Sequence, residues 1–170
     1  YFEIDDEEDG KHKTLLYTGD LGRKNLPILK DPYQVEKVDT LIIESTYGDR
    51  LHEAITDVEE KLAAIVTETI ARGGKLIIPA FSLGRTQEIV YTLHVLEHQG
   101  KIPSELPIWV DSPLSGNLTQ VFKKHMADFD QEAQDEFINN HENPFGFGRL
   151  RYTKSVEESK ALNESNMPMI

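Results

Sequence analysis

Leu15-Leu16-Tyr17-Thr18-Gly19-Asp20-Leu21-Gly22-Arg23 and Val38-Asp39-Thr40-Leu41-Ile42-Ile43-Glu44-Ser45-Thr46-Tyr47-Gly48 decide how this chain is read. Each is a short apolar run rich in β-formers that ends in a carboxylate flanked by small residues, the pattern of a buried strand bounded by a turn. A carboxylate just past such a strand is held rigidly at the rim of a sheet, where α/β proteins bind their ligands. Either acid alone reads better as a turn or capping residue. The pair, with glycines that let a ligand approach the backbone, raises the ligand-binding reading to parity.

The pattern spreads outward from that pair. Upstream, Tyr1–Ile4 and Thr14–Thr18 read as two strands joined through an acidic turn that ends in Asp9-Gly10, a hairpin signal. Downstream, the period changes near residue 50 from two to 3.6. Ile55, Val58, Leu62, Ile65, Val66 and Ile70 form one helical stripe, Thr56 and Glu59 a capping box, and Gly73-Gly74 a stop. Alternation follows: a strand at Lys75–Pro79, a helix at Leu83–Gln99, a strand at Pro107–Asp111. Ser112 then reads as an N-cap and Pro113 as the first helical residue, with Leu114, Leu118, Val121, Phe122 and Met126 as the buried stripe. A short helix over Gln131–Asn139, a loop at His141–Gly148, a strand at Leu150–Thr153, a helix at Val156–Asn163 and a strand from Met167 complete the series. Alternating strands and helices imply an α/β fold with a largely parallel sheet and helices on both faces. Two segments are expected, residues 1–50 and 51–170.

Bulk properties narrow the classes. The chain has 170 residues and a net charge of −12. Six acids and no base fall in the first nine residues (Glu3, Asp5, Asp6, Glu7, Glu8 and Asp9), so half of the excess sits in one segment. The acidic balance argues against a whole-surface nucleic-acid binder and leaves room for a local basic groove. Without cysteine there is neither a disulfide framework nor a thiolate metal site. No apolar run approaches the ~20 residues that span a bilayer and no signal peptide is visible, so a cytoplasmic protein without membrane partners is the expectation. The start at Tyr1 and the stop at Met167-Pro168-Met169-Ile170, where a strand begins, read as the ends of a fragment.

Four motifs in order now carry a resemblance: Tyr17-Thr18-Gly19-Asp20-Leu21-Gly22-Arg23; Ile43-Glu44-Ser45-Thr46-Tyr47-Gly48; Ile78-Pro79-Ala80-Phe81-Ser82-Leu83-Gly84-Arg85-Thr86-Gln87-Glu88; and Asp111-Ser112-Pro113-Leu114. Together they resemble the β-CASP branch of the metallo-β-lactamase fold, which includes ribonuclease J and the eukaryotic pre-mRNA 3′-end endonuclease. Ser155-Val156-Glu157-Glu158-Ser159-Lys160 is similar to the segment leading to that family's next motif.

The resemblance implies the last strands of a metallo-β-lactamase domain over residues 1–50, then a β-CASP domain over 51–170. It implies a zinc-dependent ribonuclease acting on RNA, single-stranded by expectation. Asp20 matches the carboxylate that bridges two zinc ions, and Glu44 an acid that orders the site without being a primary metal ligand. A carboxylate suits the bridging role, because its two oxygens can reach two cations. The family's His-x-His-x-Asp-His motif does not occur in the chain, and its later histidine motifs would lie past Ile170. The chain alone is therefore expected to be inactive and to hold no tight two-zinc centre. Exposed sheet edges would invite strand pairing and a homodimer.

Ser82-Leu83-Gly84-Arg85 follows a strand and opens a helix. Free N–H groups, a capping hydroxyl and a guanidinium suit a substrate phosphate, as does Ser112 at the matching strand end. An ordinary N-cap with a solvated arginine is the plain alternative, and Ser112 also reads as a simple cap. His94-Val95-Leu96-Glu97-His98 fits an inverted zinc-protease pattern, or an exposed helix end where His98 favours the dipole. Phe145, Phe147 and Arg149 could stack on bases, or the two aromatics close the core under a loop. Two rival functions stay open: a non-catalytic scaffold of an RNA-processing complex, and a plain ligand-binding α/β domain.

Overall fold

The computed structural model describes residues 2–5, 10–51, 58–135 and 143–170. The chain divides into two compact units, Tyr1–Leu26 with Asp31–Ala54, and Pro27–Lys30 with Ile55–Ile170.

In the first unit, β1 (Phe2–Asp5) pairs antiparallel with β2 (His12–Tyr17), and β2 pairs parallel with β3 (Thr40–Ile42). Asp5 and His12 close the β1–β2 end with a 2.8 Å hydrogen bond. Asp39 fastens the entry to β3 by accepting from both the backbone and the hydroxyl of Thr14. The Asp9-Gly10 turn signal falls partly outside the described residues, as do His52, His141 and the Thr56 end of the expected capping box.

The second unit holds α1 (Val58–Ala71), α2 (Arg85–His98), β4 (Ile108–Val110), α3 (Pro113–Lys124), a 3₁₀ turn (Met126–Asp128), α4 (Gln131–Gln134), β5 (Leu150–Tyr152) and α5 (Val156–Glu164). β4 and β5 are parallel, with Ile108, Trp109 and Val110 opposite Leu150, Arg151 and Tyr152. The sheet extends through single bridges: Lys75 pairs parallel with Met169, and Ile170 bonds to Pro107 and Trp109. Helices lie on both faces of this α/β layer. Ile108, Val110 and Leu150 point into a core shared with Val90, Leu93 and Leu96 of α2, and α5 lies over the opposite face. Of the first fifty residues, Pro27–Lys30 belong here: Ile28 is buried, and its carbonyl accepts from the Asp130 amide at 2.7 Å.

Four details differ from the sequence reading. Lys75–Pro79 forms one bridge, Lys75 with Met169, instead of a strand, and residues 77–81 border a cavity. In α1 the buried positions are Ala63, Val66 and Thr69, while Ile65 and Val58 are exposed. In α3 only Thr119 is buried, with Phe122 and Met126 packed on the core, whereas Leu114 and Val121 are exposed. The reason is a polar seam: Gln87 of α2 donates to Thr119 Oγ1 at 2.9 Å and to the Ser115 carbonyl at 3.2 Å, which fixes the inward face of α3. Of the expected helix over Gln131–Asn139, Gln131–Gln134 is helical and residues past 135 lie outside the described part.

Candidate functional site

Asp20 and Glu44 follow adjacent parallel strands of the first unit. The pairing Leu15–Thr40, Leu16–Leu41, Tyr17–Ile42 continues as Thr18 N–H donates to the Ile42 carbonyl at 3.1 Å. Thr18 Oγ1 then accepts from the Glu44 amide at 3.3 Å. Gly19 has φ +59°, a left-handed conformation that glycine adopts without strain, and it turns the chain so that Asp20 stands exposed beyond the strand. The Asp20 carboxylate has no hydrogen-bond or ion-pair partner among the described residues.

Glu44 is the opposite case. Its carboxylate accepts from the Thr46 amide at 2.9 Å. That bond, the Thr46 hydroxyl and the Leu21 amide hold its pKa below the ordinary 4.5. Glu44 is thus an ionised acid held chiefly within its own turn by Thr46, with the Leu21 amide, next to Asp20, as its weakest contact. The strand pairing and these contacts bring the two acids' turns together. The sequence reading missed Thr18, Thr46 and Leu21 as the residues that do this; the Glu-x-Thr spacing of Glu44 and Thr46, fit for a side chain capping an amide two residues on, is the signal that could have shown the first contact.

In the second unit, Ser82, Arg85 and Ser112 mark the starts of α2 and α3. These starts adjoin, since Thr86 and Ser115 hydroxyls lie 3.3 Å apart. Ser82 is not the hydroxyl cap expected from the sequence. The N-cap is Gly84, at φ 81°, without any side-chain cap bond. The left-handed turn at Gly84 lets the Ser82 carbonyl take the Arg85 amide at 3.2 Å and leaves the Ser82 side chain exposed. First-turn amides of α2 therefore have no side-chain acceptor among the described residues, which preserves an anion-binding terminus. Arg85 is not freely solvated either: Nη1 donates to Glu88 Oε2 at 2.9 Å. Ser112 caps α3 as expected, its oxygen accepting the Ser115 amide at 3.2 Å, which leaves its O–H available as a donor to a ligand. Next to it, Asp111 accepts from Thr153 and Ser159, each at 2.8 Å, tying β4 to β5 and α5; the sequence reading gave Asp111 no such role.

The remaining candidates resolve as packing. His94 is buried, with its ring 5.0 Å from that of Phe147, and not exposed at a helix end. The His94 and His98 ring centroids are 6.3 Å apart. Phe145 and Phe147 are buried in the core, and Arg149 pairs with Glu105.

A metal would find part of a ligand set here. Asp20 offers two open carboxylate oxygens, which suit a hard or borderline cation. Among the described residues no three side chains of His or carboxylate type gather into a metal cluster, so the chain contributes Asp20 and Glu44 behind it.

Residues 86–170 match the Beta-Casp domain, and the chain belongs to the β-CASP family of metallo-β-lactamase-fold nucleases. It is 35% identical over 161 residues, 95% of its length, to ribonuclease TTHA0252 of Thermus thermophilus. It is 34% identical over 161 residues, 93% of its length, to an RNase J-like protein of Methanocaldococcus jannaschii. It is also 31% identical over 144 residues, 84% of its length, to cleavage and polyadenylation specificity factor 73 of Drosophila melanogaster. The chain spans 36%, 36% and 21% of these relatives' own lengths.

Proposed function

We propose that this chain is part of a metal-dependent ribonuclease that hydrolyses RNA phosphodiester bonds. The observation that carries the reading is the contrast between the two acids in a β-CASP chain: Asp20 exposed and unpartnered, Glu44 clamped by Thr46 and Leu21. Asp20 would be this chain's ligand to a bound zinc pair. Such a pair supplies an activated water and charge stabilisation for the leaving oxygen.

The chain's own residues do the rest. Glu44, ionised through the neutral range, touches the Asp20 turn at the Leu21 amide and so helps present the ligand in one orientation. The open first turn of α2 and the Arg85 guanidinium take a substrate phosphate, with the Ser112 and Ser82 hydroxyls as further donors. To do so, Arg85 exchanges Glu88 for phosphate. An exposed ion pair of this kind is worth about 0–1 kcal/mol, so the exchange opposes binding little. We take single-stranded RNA as the substrate form.

The test is made in the longer protein that contains this sequence. Asp20→Ala should abolish cleavage and lower metal content measured by elemental analysis. Glu44→Ala should impair cleavage and keep most of the metal. Metal lost from Glu44→Ala, or near-normal rates in Asp20→Ala, would refute the assignment.

A further inference from the structure

We propose that the second unit carries a separate pocket for a single nucleotide, on the sheet face covered by α5, built around Trp109 and Arg151. The proposal does not depend on the nuclease reading.

Side chains alternate along β4. Ile108 and Val110 are buried toward α2, and Trp109 between them faces the other way. There it borders a cavity of about 350 Å³ walled by Leu162, Met167 and Met169. That volume lies at the small end of the range for ligand pockets, ~300–1,000 Å³, and suits one nucleotide rather than an oligomer. Trp109 is half-buried, and its indole N–H has no hydrogen-bond partner among the described residues. A tryptophan this enclosed normally finds one. An aromatic side chain bordering an apolar cavity with a spare donor suits a flat ring system that carries an acceptor.

The cation at the rim specifies the rest of the ligand. Arg151 stands directly opposite Trp109 in the parallel register and borders the same cavity. Its guanidinium donates to the neighbouring Leu150 carbonyl at 2.8 Å and has no carboxylate partner among the described residues. Arg149, two residues earlier, is neutralised by Glu105, and Glu158 at the rim is engaged by the Lys154 amide at 2.7 Å. In a chain of net charge −12, an arginine left without an acid beside an aromatic and two thioethers fits an anion carried by an apolar ring. The base lies against Trp109 and the methionines, and the phosphate meets Arg151. A free nucleoside monophosphate and the 5′-phosphorylated end of an RNA strand present this same chemistry.

Trp109 is the chain's single tryptophan, so its fluorescence reports on this pocket directly. Titration of the chain with AMP should give saturable quenching in the millimolar range or tighter. Arg151→Ala should weaken AMP about tenfold, the effect of one charge-assisted contact, while leaving adenosine binding unchanged and the far-UV circular dichroism intact. A short RNA with a 5′-phosphate that quenches as AMP does, when its 5′-hydroxyl counterpart does not, identifies a strand end as the ligand; quenching by AMP alone identifies the free nucleotide. No saturable quenching by AMP or by the phosphorylated RNA, or equal AMP affinity in Arg151→Ala, overturns the proposal.

Discussion

Phe145 separates a base-stacking loop from a core-closing one, and the two readings differ in the sign of what should move. Its ring is 1% exposed and stands edge-on to Phe122, with centroids 6.1 Å apart at 86°. Its amide donates to Asn143 Oδ1 and its carbonyl accepts from the Tyr152 hydroxyl, so the loop is fixed around the ring. Phe145→Ala removes a fully buried aromatic from a site that cannot collapse freely, at a cost of ~3–5 kcal/mol, part of it the edge-to-face pair. Against a domain stability of ~5–15 kcal/mol that is a large fraction, and the melting temperature should fall by on the order of 10 °C. Phe145→Leu should lie between, since it refills most of the space. Urea unfolding followed by circular dichroism measures the cost. RNA affinity of the folded variant should stay within a factor of about two of the parent. A stacking residue would behave conversely, losing ~1–3 kcal/mol of RNA affinity with stability nearly intact. A stability loss below ~1 kcal/mol together with weakened RNA binding would refute the core assignment.

Two further outcomes follow from the candidate site. Glu44 has its folded pKa depressed by Thr46 and Leu21, so its contribution to stability is present above the ordinary carboxylate value of 4.5 and is lost as pH falls through the folded value. NMR titration of its carboxyl carbon should show a midpoint below 4.5 that moves up part way in Thr46→Val, which keeps the backbone donor; a midpoint at or above 4.5 refutes the clamp. In the longer protein, Arg85→Ala should lower RNA affinity equally for unrelated sequences and reduce the salt slope by about one, the mark of one lost phosphate contact. Glu88→Gln, which frees Arg85 from its 2.9 Å partner, should raise that affinity, and an unchanged slope in Arg85→Ala would return α2 to an ordinary helix start.

Where the sequence misled, a contact far along the chain overrode a local pattern. The β1–β2 pairing, the βα alternation and the Ser112-Pro113 start of α3 were legible because each depends on residues a few positions apart. The buried face of α3 was not. Period and apolarity pointed to Leu114 and Val121, but the helix is set by Gln87 Nε2 bonding to the Ser115 carbonyl and Thr119 hydroxyl across 28 to 32 residues, and polar groups so bonded are buried where hydrophobicity alone would not place them, even with Gln87 Oε1 left without a partner among the described residues. His94 is a related case: its partner is Phe147, more than fifty positions away, so nothing near it in sequence announces burial. Ser82 shows a local limit, because a serine three residues ahead of a helix reads as a cap until the left-handed Gly84 takes the position.

The candidate site shows the same division. Asp20 and Glu44 stood out because apolar strands deliver them, yet their difference in role comes from partners. Thr46 lies two residues from Glu44 and is readable. Leu21 donates from a turn more than twenty residues earlier, brought close only because β2 and β3 run parallel in one register. Parallel pairing carries both turns to the same end of the sheet, so one carboxylate can touch the loop that presents the other. The backbone register, and not either acid alone, is what makes Asp20 available and Glu44 committed.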